Sequence, residues 1–323
     1  TQCERLAPRF AGRKRSGAVV EGHGDLHTEN IVLLSGVLVP FDCLEFSADL
    51  RWTDRMAEVG FLLMDLARRG RDDLAFEFMG RYLERTGDYA GLHVLRFYVV
   101  YRAVVRVKVG AIGRVQHGAR PLDRNDPHFR FAMRAIAPPA PLLVLTHGLS
   151  GSGKTTITDQ LFGQLPALRI RSDLERKRLH GLAAGASSDS DVGEGLYTPG
   201  ASQDTYAHLE RCASAGLEGG FSMIVDATFL RRADRARFIA LAEARGARLV
   251  LLDCTAPEDV LRERIVRRNE QHADASEATV SVLEHQLRTR EPFTAYELAR
   301  RVEVDTTRAL DVADLVRALN RST

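Results

Sequence analysis

Residues 142–156 read Leu142-Leu143-Val144-Leu145-Thr146-His147-Gly148-Leu149-Ser150-Gly151-Ser152-Gly153-Lys154-Thr155-Thr156, an apolar run that breaks into glycines and ends on Gly-Lys-Thr-Thr. A strand buried on both faces has no need of alternation, so Leu142–Thr146 predicts a central strand of a parallel sheet. From Gly148 to Thr155 the spacing is G-x-x-x-x-G-K-[ST], placed between that strand and a predicted helix. Glycines here let successive backbone N–H groups turn toward phosphate oxygens, and the helix N-terminus adds partial positive charge. The nucleotide-binding segment is therefore expected to be Gly148, Leu149, Ser150, Gly151, Ser152 and Gly153, with Lys154, Thr155 and Thr156. Lys154 is expected to reach the β- and γ-phosphates of ATP, and the Thr155 hydroxyl to ligate Mg²⁺.

Outward from this loop, strand and helix alternate. Further strands are predicted at Leu168–Arg171, Ser222–Asp226, Arg248–Cys254 and Val302–Asp305. Helices are predicted near Lys154–Leu165, Ser202–Glu218, Arg232–Ala244, Ala256–Arg268 and Glu277–Arg290. Such alternation implies an α/β domain with helices on both faces of the sheet. The stretch Gly181–Gly200, rich in Gly, Ser, Ala and Asp, reads as a mobile loop. Asp226 ends the run Met223-Ile224-Val225, at the strand end where open α/β sheets place ligands. It is expected to hold Mg²⁺; a turn aspartate before Thr228 is the structural alternative.

Arg171-Ser172-Asp173-Leu174-Glu175-Arg176-Lys177 begins where the second strand should stop. Asp173 suits a general base that takes the proton of an acceptor hydroxyl, with Arg171, Arg176 and Lys177 holding anionic groups. Ser172-x-x-Glu175 is also a capping box, and both roles fit a helix start beside the phosphate loop. Thr255-Ala256-Pro257-Glu258 is a second capping box. In the helix it opens, Arg264 and Arg268 stand four apart on one face. They suit either a lid that neutralises charge over ATP or a solvated face paired with Glu263 and Glu270.

Taken together, the GLSGSGKTT loop, the RSDLERKRLHG segment, the VDATF strand end and the LRERIVRRN helix resemble the small P-loop kinases. That family includes gluconate kinase, polynucleotide 5′-hydroxyl kinase and the zeta-type toxins. The resemblance covers most of residues 141–323. It implies a sheet order of 2-3-1-4-5, Asp173 as the base, and Arg264 and Arg268 as lid arginines. ATP and Mg²⁺ are the implied cofactors, and a small-molecule hydroxyl the implied acceptor.

Pro138-Pro139-Ala140-Pro141 is stiff and poor in backbone donors, which marks a linker between residues 1–137 and 142–323. Before it, Asn30–Leu34 and Val37–Phe41 read as a hairpin turning through Ser35-Gly36, and helices dominate from Arg55 to Ile136. His23-Gly24-Asp25 followed by Asn30 resembles the H-G-D-x-x-x-x-N catalytic loop of aminoglycoside phosphotransferases. Phe41-Asp42 resembles their downstream magnesium aspartate. That resemblance implies Asp25 as an acceptor-side base, with Asn30 and Asp42 as magnesium ligands in a mainly helical C-lobe. Read without it, His23, Asp25 and His27 are polar loop residues. Only 22 residues precede His23, fewer than the β-rich lobe such kinases carry. The expectation is either a piece of a longer protein or a first domain without ATP binding. The composite order resembles bifunctional aminoglycoside phosphotransferase/ATP-binding proteins.

Composition sets outer bounds. The 323 residues carry a formal charge of +2, with 45% hydrophobic, 27% charged and 7% aromatic residues. That is the balance of a soluble protein with two cores. Near-neutral charge and few aromatics argue against a nucleic-acid partner, despite the Arg-rich stretches Arg169–Arg178 and Arg231–Arg237. The apolar stretch Leu95–Ile112 carries Arg96, Arg102, Arg106 and Lys108, which disfavours a membrane span. Cys3, Cys43, Cys212 and Cys254 are scattered, as expected of mostly buried free thiols in a cytoplasmic protein.

Overall fold

The computed structural model describes residues 1–118, 123–183, 198–271 and 278–321. The predicted loop Gly181–Gly200 and the start of the predicted helix at Glu277 fall largely or wholly outside them. Contacts divide the chain into two compact units. The first holds Thr1–Arg81, Ala90–Pro139 and Glu218–Gly220; the second holds Tyr82–Tyr89, Ala140–Leu217 and Phe221–Thr323. The passage from one to the other at Pro139/Ala140 lies inside the proline-rich segment, but each unit also takes in a short stretch from across it.

The first unit runs α1 (Gln2–Arg15), β1 (Val19–Glu21), β2 (Ile31–Leu34), β3 (Val37–Pro40), α2 (Ala48–Arg51), β4 (Trp52–Asp54) and α3 (Arg55–Arg68). There follow α4 (Asp72–Thr86), whose residues from Tyr82 onward count with the second unit, α5 (Leu92–Gln116) and α6 (Pro127–Ile136). β2 and β3 pair antiparallel, and Ser35 and Gly36 turn between them with φ of 49° and 80°. Two successive positive φ values give a tight turn whose twist suits the strands it joins. β1 pairs antiparallel with β4. The core forms where α3 lays Met56, Phe61 and Met64 against α5, which contributes Leu92, Leu95 and Val99. One buried charge pair fastens α1: Arg13 donates to Asp54 at 2.6 and 2.8 Å, and Asp54 also caps α3 through Met56 N. Both partners being bonded, the burial is tolerated.

α1 has no counterpart among the sequence expectations. Its cue is local, since Thr1 and Glu4 form a capping box.

The second unit continues with β5 (Leu142–His147), α7 (Lys154–Leu161), β6 (Ala167–Arg171), α8 (Ser172–Leu179), α9 (Pro199–Glu218), β7 (Ser222–Asp226) and α10 (Arg232–Ala244). It closes with β8 (Arg248–Thr255), α11 (Glu258–Gln271), α12 (Val280–Thr289), α13 (Ala295–Leu298), β9 (Arg301–Asp305) and α14 (Val312–Arg321). All five strands are parallel, in the order β6-β7-β5-β8-β9. Renumbered within the sheet, that order is 2-3-1-4-5. Leu142 and Val144 pack with Ile157 and Leu161 of α7 and Leu315 and Leu319 of α14. Leu143 and Leu145, their alternates along β5, are equally buried. Cover on both faces is why β5 shows no alternation.

Neither expected capping box forms. Thr255 stays in β8 with its hydroxyl near Val304 O, and Glu175 is drawn to His208 and Arg178. α8 still begins at Ser172, with Arg171 as its N-cap.

Candidate active site

The loop after β5 is shaped by glycine at three points. Gly148 has φ of 144°, and Gly151 and Gly153 each have φ of 81°, where L side chains are strained. Space forbids a side chain as well. A Cβ on Gly148 would lie 2.5 Å from Cys254 O, and one on Gly151 would lie 2.8 Å from Leu261 O. α7 starts at Lys154, so the loop amides and the helix N-terminus share one concavity.

Lys154 Nζ donates to Gly148 O at 3.0 Å and to Leu149 O at 2.8 Å. Burial pushes its pKa down, opposed by the charge of Asp226. Thr155 Oγ1 donates to Asp226 Oδ2 at 2.9 Å, with Thr158 Oγ1 3.3 Å from the same oxygen. Burial raises the Asp226 carboxyl, and Arg169 and then Lys154 hold it back. Arg169 is buried and donates to Thr158 Oγ1 at 2.8 Å and Glu84 Oε1 at 2.9 Å. A chain of contacts thus runs from Arg169 through Thr158 to the Asp226–Thr155 pair.

These residues fit a nucleotide with its metal. The cradle is one that a Cβ would fill, Lys154 is a cation set against loop carbonyls, and Thr155 and Asp226 present hard oxygen donors together. The loop amides and Lys154 would hold phosphates, and Thr155 and Asp226 would hold Mg²⁺.

A cavity of about 1330 Å³ opens over the loop. Lys154, Thr155, Thr156 and Asp226 line it, and so do Ser150, Gly151 and Gly153. On another side stand Asp173 and Arg176 of α8, three residues apart, with their charges 3.7 Å from each other. Arg264 and Arg268 of α11 also line it. Arg264 donates to Gly151 O at 3.3 Å and to Thr306 O at 2.8 Å, and Arg268 donates to Ala278 O at 2.8 Å. The remaining candidates sit elsewhere. Gly148 and Ser152 are loop residues outside the lining, and Leu149 packs with Leu230, Leu261, Ile265 and Leu283. Arg171 and Lys177 are outside the lining, and Lys177 is buried.

Gln286 and Thr306 are among the cavity residues without a sequence cue. Gln286 of α12 accepts from Ser150 N at 2.8 Å, which joins the phosphate loop to a helix 136 residues further on. Thr306, just past β9, receives Arg264. Their neighbours in sequence form no motif, so only the folded chain reveals them. Arg169 belongs to an Arg-rich stretch that suggested a surface, whereas its side chain is interior.

In the first unit, Asn30 Nδ2 donates to Asp25 O at 3.0 Å and to Asp25 Oδ2 at 3.2 Å. The His27 hydrogen bond is the main cause that lowers the Asp25 pKa, against the opposing effect of burial. Asp42 is exposed with φ of 59°, one residue beyond the Phe41 N–H that donates to Asn30 O. Among the described residues the Asp42 side chain makes no hydrogen bond or ion pair.

A five-stranded parallel sheet in this order, with its central strand running into a glycine loop and helix, defines a P-loop kinase-like fold. Residues 143–293 match the AAA domain family. Uncharacterized proteins of Mycobacterium tuberculosis and Mycobacterium bovis are each 33% identical to this chain over 274 residues, covering 85% of it and 55% of their own length. The chain thus spans about half the length of the curated relatives it matches. It is also similar to the solved structure of a gluconokinase from Sinorhizobium meliloti, at 22% identity and a TM-score of 0.37, covering 56% of this chain and 91% of that one. A sugar kinase from a Janibacter species shows 21% identity and a TM-score of 0.39, with 56% and 94% covered. Among the described residues no helix is long and apolar enough to cross a membrane.

Proposed function

We propose that the second unit is an ATP- and Mg²⁺-dependent kinase that transfers a phosphoryl group to a hydroxyl of a small molecule. The observation that carries this reading is the meeting of Asp173 with Lys154, Asp226 and the arginines of α11 around one cavity. Asp173 takes the proton of the acceptor hydroxyl, whose oxygen forms the new bond to the γ-phosphorus. The bond from that phosphorus to the β,γ-bridging oxygen breaks, and ADP leaves. Mg²⁺, when bound, offsets charge on the phosphate oxygens. Lys154, Arg264 and Arg268 oppose the remaining negative charge in fixed positions, so little reorganisation is needed during transfer. Sugars, sugar acids and nucleotides are the acceptors to screen by ADP release. Asp173→Asn should lose acceptor-stimulated release while Mg·ATP affinity, read by calorimetry, stays near that of the parent. Retained release in that variant rejects Asp173 as the base.

We further infer that the first unit carries the catalytic-loop half of an aminoglycoside phosphotransferase-like lobe, supported by the Asn30–Asp25 bonds and the hairpin that brings Asp42 beside Asn30. Two carboxylates and an amide would place a cation, but they do not by themselves hold a triphosphate.

A further inference from the structure

Glu175 lies two residues beyond Asp173 on α8, about 200° round the helix. It is buried and takes no part in lining the cavity. His208 Nε2 of α9 lies 2.8 Å from Glu175 Oε2, and Cys212 Sγ lies 3.4 Å from His208 Nε2. One donor atom from each residue lies within 4.8 Å of the other two. We propose that Glu175, His208 and Cys212 form a metal site for Zn²⁺ or a similar transition-metal cation, clipping α8 to α9.

The geometry needs little change. His208 and Cys212 are four apart on α9 and share a face, so they can chelate from one helix while Glu175 closes from another. Bonds of about 2.0–2.3 Å in a tetrahedral zinc site place ligand atoms roughly 3.3–3.7 Å apart. The Sγ–Nε2 distance already lies in that range, and Nε2 and Oε2 have to part by less than about 1 Å. A sulfur, a nitrogen and a single oxygen favour a borderline-soft ion over Mg²⁺ or Ca²⁺. His208 is only half-buried, which leaves an edge for entry and for water as fourth ligand.

The charged neighbours are compatible with this. Arg178 donates to Glu175 Oε1, which leaves Oε2 for the ion and orients the carboxylate as outer-shell partners do. Arg211 Nη2 lies 3.5 Å from His208 Nδ1. Ligation through Nε2 puts the ring proton on Nδ1, and Arg211, which is exposed, turns to solvent. The Tyr89 hydroxyl donates to Arg169 O and stays out of the ligand set. Burial, and then Glu175, push the Cys212 thiol up to about 12, so the ion must displace a proton from sulfur. Thiolate and carboxylate together then balance a dication. None of this depends on the kinase reading.

The test is titration of the full chain with Co²⁺ in excess Mg²⁺. The expected result is a sulfur-to-cobalt charge-transfer band in the near ultraviolet that saturates at one equivalent, is removed by Zn²⁺, and accompanies release of about one proton per ion at pH 7. Cys3→Ser should keep the band and Cys212→Ser should lose it, while His208→Asn should weaken Zn²⁺ at least about tenfold. Absence of the band in the parent chain, or its survival in Cys212→Ser, overturns the proposal. Should Cys212→Ser fail to fold, X-ray absorption on the zinc-loaded parent decides instead: one sulfur neighbour supports the site and none rejects it.

Discussion

Lys154 rests on two backbone carbonyls, a neutral substitute for the phosphate oxygens its position suits. Replacing it with Ala removes a cation from where transition-state charge builds, which typically costs about 10²–10³ in rate. Lys154→Ala should fold as the parent does and lose turnover by that factor; steady-state ADP release checks it. At Asp65 the issue is stability. Burial alone would raise its pKa, but hydrogen bonds from Thr28 and Arg68 outweigh this and depress it. A depressed carboxyl stabilises the fold fully above its unfolded value of 3.8 and loses that contribution as pH falls through the folded value. Asp65→Asn should therefore cost about 2 kcal/mol at pH 7, a gap that narrows below pH 4. Urea unfolding of both proteins across pH 7 to 3 is the measurement.

Individual elements differ in how plainly the sequence announced them. The five strands of the second unit were legible because apolar runs bounded by turn residues have few other uses, and α10 spans the expected Arg232–Ala244. Sheet order followed from a resemblance and not from pattern, since parallel strands carry no local record of their neighbours. α7 stops at Leu161, four residues short of expectation, as the chain turns toward β6 through Gly163 with φ of 73°. Gln286 shows what was illegible: its role depends on Leu283, one turn earlier on α12, packing against Leu149, Leu261 and Ile265. α11, α12 and the phosphate loop share that small cluster. Leu283→Ala should cost about 2–5 kcal/mol and also weaken nucleotide binding, because the void lies under Leu149. Thermal unfolding with and without ATP separates the two effects. Equal loss in both conditions would mean that the cluster only supports the fold.

At the scale of the whole molecule, the question is which unit binds nucleotide. The glycine cradle, the lysine and the paired Thr155 and Asp226 all belong to the second. Calorimetry of the full chain should therefore find one Mg·ATP site. Asp25→Asn should leave its affinity within about twofold, and Lys154→Ala should weaken it by about tenfold or more. A second heat that vanishes only with Asp25→Asn would place a nucleotide in the first unit.

The eight residues Tyr82–Tyr89 precede the proline-rich segment by some fifty positions yet count with the second unit. Through Glu84 they supply one of the two carboxylates that meet buried Arg169, the other being Asp159, and through Tyr89 a hydroxyl on the Arg169 carbonyl. Sequence order and spatial membership therefore part company. A protease nick at Pro138–Pro141 makes two polypeptides without making two independent folds. The later piece, released from the earlier one, would keep Arg169 inside with only the half-exposed Asp159 at 2.8 Å, and losing the largely buried Glu84 from such a cation is destabilising. During synthesis the same dependence runs forward: Glu84 emerges long before Arg169, and the sheet completes its interior with a part made well in advance.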